Sequence, residues 1–249
     1  MIGGAIARGL AATPGFEVVI AARDEGRAAN AVNAIRNDSG NHDVRFVLAD
    51  LSRRQSIQAL AESWHGPLHV LVNDAAVAPR RRQTTPEGIE LSFATNVLGY
   101  LWMADAFTPH LKQGAAARIV NVASNWAGDL DLNDLEFERR RYDNNIAYRQ
   151  SKQANRMLTV AQAERLAGSG ITVNACHPGN PGSVLTRDLG FGGSQSPEDA
   201  ARTPVMLARG EIGAGTTGRY FDRGREVRCQ FATDRAGIER LDAICREYR

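Results

Sequence analysis

The sequence predicts an α/β protein built on a doubly wound parallel sheet with helices on both faces. Three observations lead to this fold class. Short apolar segments alternate with stretches of helical periodicity along the chain. Several of the apolar segments carry almost no charge, as expected for strands that are covered on both faces. Polar or small residues follow the segments directly, at the sheet edge where such folds bind their ligands.

Six strands are predicted in chain order, over residues 16–22, 44–49, 68–72, 118–122, 171–175 and 218–221. Helical periodicity is clearest between them, over 27–37, 56–64, 91–111 and 147–166. There is no internal repeat, low-complexity tract or long linker. One domain over residues 1–249 is therefore the simplest division of the chain.

Composition narrows the classes of function. A formal net charge of +2 over 249 residues is too small to indicate nucleic acid as a partner. The three cysteines, Cys176, Cys229 and Cys245, form no CxxC pair, so neither a metal site nor a disulfide framework is predicted. No apolar run of about 18 residues and no signal peptide is visible, so no membrane anchor is predicted. We expect a cytoplasmic protein that acts on a small molecule.

The strongest chemical signal is the pair Tyr148 and Lys152, four residues apart on one face of a predicted helix. A free tyrosine has a pKa near ~10 and is a poor acid or base at neutral pH. A neighbouring cation favours the phenolate and should lower that pKa. Only two residues of the chain are lysines, which makes the spacing less typical of a chance surface pair. The pair indicates proton transfer to a carbonyl oxygen or from an alcohol.

The motifs around this pair resemble those of the short-chain dehydrogenase/reductase family over nearly the whole chain. The YxxxK motif is Tyr148–Lys152, and Ser124 ends a strand with the family's IVNVSS-like context. The family's NNAG motif corresponds to Asn73–Ala76, and its NxxG motif to Asn96–Gly99. Its PG motif is Pro178–Gly179, and the acidic pair that family members use near the adenine is Asp50–Leu51. Each match is weak alone, but together they occur in the expected order and at the expected ends of their elements.

The resemblance implies four catalytic residues. Tyr148 would be the general acid/base, and Lys152 would lower its pKa and bind the nicotinamide ribose. Ser124 would donate a hydrogen bond to the substrate oxygen, where negative charge builds up during hydride transfer. Asn96 would hold a water molecule that relays protons toward Lys152.

The resemblance also implies a nicotinamide cofactor. NAD-preferring relatives place a carboxylate at the end of the second strand, but Ala22 stands there and Arg23 follows. A cation without a carboxylate suits the 2′-phosphate of NADP, although Asp24 comes next. We therefore expect NADP rather than NAD. The expected cofactor-binding residues are Ile2, Gly3, Arg23, Asp50, Leu51, Asn73, Ala75, Tyr148, Lys152, Pro178 and Gly179.

Two blocks of sequence, Thr85–Glu90 and Ala147–Asn155, resemble the branch that contains the retinol dehydrogenases and the WW-domain oxidoreductase. A loop around residues 180–200, with several glycines, is expected to cover the substrate and set specificity together with Trp126. The expected substrate is a small, fairly apolar alcohol or carbonyl compound. A homodimer or homotetramer is also expected, through the helices that hold Asn96 and Tyr148.

The start of the chain departs from the family pattern. Ile2, Gly3 and the following helix match the end of the TGxxxGxG turn, but the first strand and the first two glycines have no counterpart. That strand lies in the middle of the sheet, so two central strands should keep unpaired edges. The sequence-based expectation is a truncated start. The alternative function is a non-catalytic relic or binding protein of the same fold.

Overall fold

The computed structural model describes residues 1–248, which alternate between helices and strands as expected. The first half of the chain forms α1 (Ile2–Ala11), β1 (Val18–Ala22), α2 (Glu25–Ser39), β2 (Val44–Leu48), α3 (Arg54–Glu62) and β3 (Val70–Asn73). Next come α4 (Leu91–Phe93), a π-helical turn (Ala94–Leu98), α5 (Gly99–Leu111) and β4 (Arg118–Val122).

The second half begins with α6 (Asn144–Arg165), the helix of the Tyr148/Lys152 pair. It continues with β5 (Thr172–His177), α7 (Val184–Asp188), α8 (Pro197–Arg209), β6 (Tyr220–Asp222), β7 (Arg225–Val227), a 3-10 turn (Gln230–Thr233) and α9 (Arg235–Glu247). Polar side chains cap the N-termini of several helices, among them α2, α6 and α8. For example, the Asp143 carboxylate accepts the Asn145 backbone N–H at 2.8 Å at the start of α6.

The strands form two sheets. β1 and β2 pair in parallel, and the second sheet has the order β3-β4-β5-β6-β7. Its first three pairings are parallel, but β6 and β7 form an antiparallel hairpin. The prediction of a parallel sheet is therefore confirmed for all strands but the last. β7 was not predicted, because three exposed residues carry no alternation that could reveal it.

A cavity separates the two sheets. Its volume is about 820 Å³, and apolar side chains of both β1 and β3 line it, together with residues of α1. In the described part of the chain β1 pairs only with β2, and β3 pairs only with β4. This arrangement agrees with the expectation that two strands keep an unpaired edge.

Helices cover both faces of the strands and bury two main hydrophobic clusters. One cluster joins α3, α5, α6 and α9 to one face, and the other joins α1, α2 and α8 to the opposite face. Leu98, Leu101, Phe107 and Met157 belong to the first cluster. The apolar residues that suggested an oligomer are thus part of the core, and a homodimer or homotetramer stays a prediction.

None of the helices formed by residues 1–248 combines the length and the apolar character that a membrane crossing requires.

Candidate functional site

Tyr148 and Lys152 lie one turn apart on α6, on the face that packs against the end of β4. Both side chains are buried, with 9% and 2% of their surfaces exposed. The Lys152 Nζ lies 5.7 Å from the centroid of the Tyr148 ring. The helix therefore places the two groups together, as the spacing predicted.

Lys152 is held by the carboxyl end of β4. Its Nζ donates to the Val122 carbonyl at 2.9 Å and to the Tyr100 hydroxyl at 3.5 Å. Burial lowers the pKa of the Lys152 ammonium to about 8, and the negative charge of Asp74 opposes this shift. An ammonium has three protons, so one donor is left without a protein partner among the described residues.

Ser124 follows β4 and lies beside Tyr148. Its Oγ accepts the Trp126 backbone N–H at 3.1 Å, and its side chain lies close enough to the Tyr148 hydroxyl to affect the pKa of that group. Burial raises the pKa of Tyr148 to about 12, although the Ser124 hydroxyl opposes the rise. The pKa is thus raised, whereas the sequence predicted a lowered one. The reason is that burial disfavours the charged phenolate, and the negative charge of Asp74 adds to this effect.

Asn96 lies in the π-helical turn and is fully buried. Its side chain accepts the Val77 backbone N–H at 2.8 Å, and donates to the Val77 carbonyl at 2.9 Å and to the Ser151 hydroxyl at 3.1 Å. Ser151 in turn donates to the Tyr148 carbonyl at 2.7 Å. Asn96 therefore ties α6 to the segment after β3, and its role as a water-holding residue stays a prediction.

Asp74, which stands where the family motif has asparagine, contributes a negative charge to the site. An added Cβ on Gly3 would lie 2.6 Å from the Asp74 Oδ2, so the carboxylate touches the first turn of α1. Burial raises the pKa of Asp74, while the charge of Lys152 opposes this rise. The site thus contains an acid and a base whose charges stabilise each other.

Asn73 was expected to contact a cofactor, and that contact stays a prediction. Its side-chain amide faces the interior of the sheet. Its Nδ2 donates to the Asn121 Oδ1 at 2.9 Å, and the Asn121 Nδ2 reaches Thr159 and Gln162, each at 2.9 Å. The amide is drawn inward because buried polar groups of β4 and α6 need partners there. Ala75, also expected at the cofactor, follows two residues later and is half-buried.

The residues expected at the adenosine end lie at the carboxyl ends of β1 and β2. Arg23 is exposed, whereas the Asp24 carboxylate accepts the Arg27 backbone N–H at 2.8 Å as the N-cap of α2. The Asp50 Oδ1 accepts from both the N–H and the hydroxyl of Ser52, at 3.0 and 2.7 Å. Leu51, which follows Asp50, is half-buried. Asp24 thus caps α2, and the charges of both Arg23 and Asp24 are exposed at this end of β1.

The Pro178–Gly179 segment follows β5. Pro178 is buried, and Gly179 has a φ of +132°. A Cβ on Gly179 would lie 2.6 Å from the Gln195 Oε1 and 3.0 Å from the Ala200 Cα, so no other residue fits this close approach. At the start of the chain, Ile2 is the first residue of α1, whose N-cap has no side-chain hydrogen bond.

Apolar side chains cover Tyr148. Trp126 and Tyr148 have ring centroids 5.9 Å apart, and Phe191 packs edge-on against Trp126 at 5.0 Å. Leu185 and Leu189 complete this cover with Ala78. Three of these residues come from the 180–200 segment, which was expected to contain the substrate loop.

Two residues of the site were not predicted from the sequence. Tyr100 is buried and accepts a hydrogen bond from Lys152, and it directly follows the NxxG motif. Arg156 is buried eight residues after Tyr148, and its guanidinium lies 3.8 Å from the Tyr220 ring centroid. The i, i+4, i+8 spacing of Tyr148, Lys152 and Arg156 was the signal for the second.

Comparisons with known proteins agree with this geometry. A model of the family described as short chain dehydrogenase matches residues 1–190. Human retinol dehydrogenase 13 is 34% identical over 84% of this chain and 69% of its own length. A probable oxidoreductase of Streptomyces antibioticus is 37% identical over 91% of this chain and 83% of its own. The Pseudomonas aeruginosa RhlG/NADP active-site complex is similar in structure, with a TM-score of 0.70, 27% identity and coverage of 90% and 91%.

Proposed function

This chain belongs to the short-chain dehydrogenase/reductase family, in its retinol dehydrogenase-like branch, and on that basis we propose the reaction that it catalyses. It is an NAD(P)-dependent oxidoreductase that acts on a small molecule. We propose that it moves a hydride between NADP(H) and a small apolar alcohol or carbonyl compound. The observation that carries this proposal is the convergence of Ser124, Tyr148 and Lys152 beneath an apolar cover.

The residues fit the ribose of a nicotinamide cofactor. The third ammonium proton of Lys152 is buried without a protein acceptor among residues 1–248, and a ribose hydroxyl would provide one. Pro178, Gly179 and Ala75 would lie against the same half of the cofactor, and Asp50 and Leu51 against the adenine. The N–H groups at the start of α1, near Ile2 and Gly3, would face the pyrophosphate. When bound, the cofactor supplies or accepts the hydride.

The protein residues would transfer the proton and stabilise the negative charge on the substrate oxygen. In the reduction, Tyr148 gives its phenolic proton to the carbonyl oxygen, and Ser124 hydrogen-bonds that oxygen while its negative charge develops. Lys152 stabilises the phenolate that remains. In the oxidation, the same groups act in reverse, and Tyr148 takes the proton of the alcohol. The apolar cover around Trp126 excludes water and favours apolar substrates.

A panel of carbonyl compounds tests this proposal. The purified protein, incubated with NADPH and a series of aliphatic, aromatic and retinoid aldehydes and ketones, should consume NADPH with at least one apolar member. The alcohol products should be oxidised with NADP in the reverse assay. The alternative of a non-catalytic relic is not favoured by the oxidoreductase relatives, and it requires that no member of the panel reacts.

The pH profile of this reaction should depend on Asp74. Because the pKa of Lys152 is about 8, carbonyl reduction should decline as the pH rises through that value and the ammonium is lost. The negative charge of Asp74 favours the ammonium, so Asp74→Asn should lower the pKa of Lys152 further. The alkaline limb of kcat/KM, measured between about pH 6 and pH 10, should then move to lower pH.

Asp105→Asn is the control, because it makes the same change at a carboxyl whose pKa is also raised but whose charged neighbours are Arg54, Arg165, Arg246 and Asp242 and not Lys152. Its alkaline limb should coincide with that of the wild type. If the alkaline limb of kcat/KM did not move in Asp74→Asn, Asp74 would have no role in setting the pKa of Lys152.

Arg23 should determine the preference for NADP. A charge-assisted hydrogen bond to the 2′-phosphate contributes about 1.5–3 kcal/mol, so Arg23→Ser should weaken NADPH binding roughly 10- to 100-fold and NADH binding little. Fluorescence titration of both cofactors measures the two dissociation constants. Arg27→Ser serves as the control, since Arg27 is an exposed arginine of the first turn of α2, four residues from Arg23, and pairs with Asp24. An equal loss for both cofactors would contradict the NADP assignment.

We propose that residues 1–249 act as one Rossmann-type domain, that the segment around 180–200 is its substrate loop, and that the protein works in the cytoplasm. We propose neither a nucleic-acid partner nor a metal ion for this protein.

A further inference from the structure

We propose that Asn125 is a positioning residue for Ser124, which it holds in place by joining the end of β4 to the ends of β5 and β6. The inference rests on the proposed function, in which Ser124 binds the reacting oxygen. It concerns a different residue, however, and makes its own predictions.

Asn125 has hydrogen bonds on both its main chain and its side chain. Its Oδ1 accepts the Tyr220 hydroxyl at 2.7 Å, and its Nδ2 donates to the Asp222 Oδ2 at 2.9 Å. Its backbone N–H donates to the His177 Nδ1 at 3.3 Å. One residue directly after Ser124 is therefore bonded to both β6 and the end of β5.

The sheet order gives these bonds their importance. β5 lies between β4 and β6, so β4 and β6 share no main-chain hydrogen bonds. β4 itself ends at Val122, and Ala123 makes the last backbone bond to β5, at 2.8 Å to the Cys176 carbonyl. Beyond Ala123, the chain is no longer held by the ladder. There the Asn125 side chain holds the segment instead, because its hydrogen bonds reach past β5 to Tyr220 and Asp222 of β6.

Arg156 holds the same segment from the side of α6. Its guanidinium lies 3.8 Å from the Tyr220 ring centroid and 4.8 Å from that of Phe231, and Nη1 donates to the Ser124 carbonyl at 3.5 Å. Tyr220 thus touches both Arg156 and Asn125. Because Arg156 follows Lys152 by one helical turn, this contact connects the position of Ser124 to the helix of Tyr148.

The chemical consequence concerns the orientation of the Ser124 hydroxyl. Its oxygen accepts the Trp126 N–H, which leaves the proton free to point toward Tyr148 or a substrate oxygen. This geometry requires that the backbone from Ser124 to Trp126 stays fixed. A displacement of about 1 Å in a catalytic group can reduce the rate about 100-fold.

A double-mutant cycle tests the inference. Asn125→Ala should lower kcat about 10- to 100-fold and leave the KM for NADPH unchanged, because the residue acts on the reacting oxygen through Ser124. In a Ser124→Ala background, the same substitution should cost little more. Tyr220→Phe, which keeps the ring on Arg156 but removes the bond to Asn125, should give a smaller loss of the same kind.

Asn174→Ala is the matched control, because Asn174 is a buried amide of β5 whose two bonds, to the Thr216 carbonyl and the Arg219 N–H, lie outside the site. It should lower stability but keep kcat in the folded fraction. An equal loss from Asn125→Ala with and without Ser124, or no loss at all, would overturn the inference.

A second measurement separates this inference from the proposed function. Acrylamide quenching of the Trp126 fluorescence, identified by comparison with Trp126→Phe, reports the order of the segment without any turnover. Quenching should increase in Asn125→Ala and not in Asn174→Ala, and unchanged quenching would count against the inference. If no carbonyl compound is reduced by the wild type, the proposed function fails, whatever the quenching shows.

Discussion

Replacing Tyr148 with phenylalanine is expected to lower kcat for carbonyl reduction by about 10²- to 10⁴-fold, the usual contribution of a general acid. The substitution removes only the hydroxyl group. The ring should keep its packing against Trp126 and within the apolar cluster of Leu189 and Ala78. Lys152 bonds to Val122 and Tyr100, so its position should also persist. The affinity for NADPH, measured by fluorescence titration, should therefore change little.

Tyr142→Phe provides the control. Tyr142 lies just before α6 and also loses one hydroxyl, which donates to the Pro79 carbonyl at 3.1 Å. This hydroxyl is not near Ser124 or Lys152 in the hydrogen-bond network, so kcat should be retained. Turnover by Tyr148→Phe at the level of Tyr142→Phe would exclude Tyr148 as the acid.

Asn121→Leu is expected to lower the free energy of unfolding by about 3 kcal/mol. Asn121 is 2% exposed and links β3 to α6 through Asn73, Thr159 and Gln162. Leucine fills a similar volume but leaves the Asn73 amide and the Gln162 carbonyl oxygen without these partners. Each such buried group costs about 1–3 kcal/mol. For a chain of this length, the loss corresponds to roughly 6–12 °C in Tm, measured by calorimetry.

The matched substitution is Asn33→Leu on α2. Asn33 is exposed, so the same change of side chain should alter stability by no more than about 0.5 kcal/mol. If the two variants melted at the same temperature, the buried amide network would have no measurable role in stability.

The sequence predicted the central strands of the sheet more accurately than the last strand and the last two helices. β4 was predicted with the bounds that the structure shows, because its apolar run is covered on both faces. α9 was missed although Ile238, Leu241 and Cys245 repeat at helical spacing and are buried. α8 was missed as well, and Pro204 within it hides the helix from any propensity argument. The short strand β7 depends on its hairpin with β6 and carries no local signal.

The sequence predicted which residues form the candidate site, but it did not predict the direction of their pKa shifts. Spacing along α6 and the end of β4 were enough to bring Tyr148, Lys152 and Ser124 together. The direction of the Tyr148 pKa was not predictable, because it depends on burial by residues from distant segments. The inward turn of the Asn73 amide had the same cause, since its partner Asn121 lies 48 residues away in the sequence.

The separation of the two sheets determines which part of the molecule we expect to unfold first. The β1–β2 pair is attached to the rest through the packing of α1 and α2, and not through a continuous ladder of backbone hydrogen bonds. Regions held in this way unfold as separate cooperative units at a lower free energy than the core. We therefore expect the amides of β1 and β2 to exchange with deuterium sooner than those of β4 and β5. The half of the molecule expected to bind the adenosine of the cofactor would then be its least protected part, and a bound dinucleotide should slow that exchange.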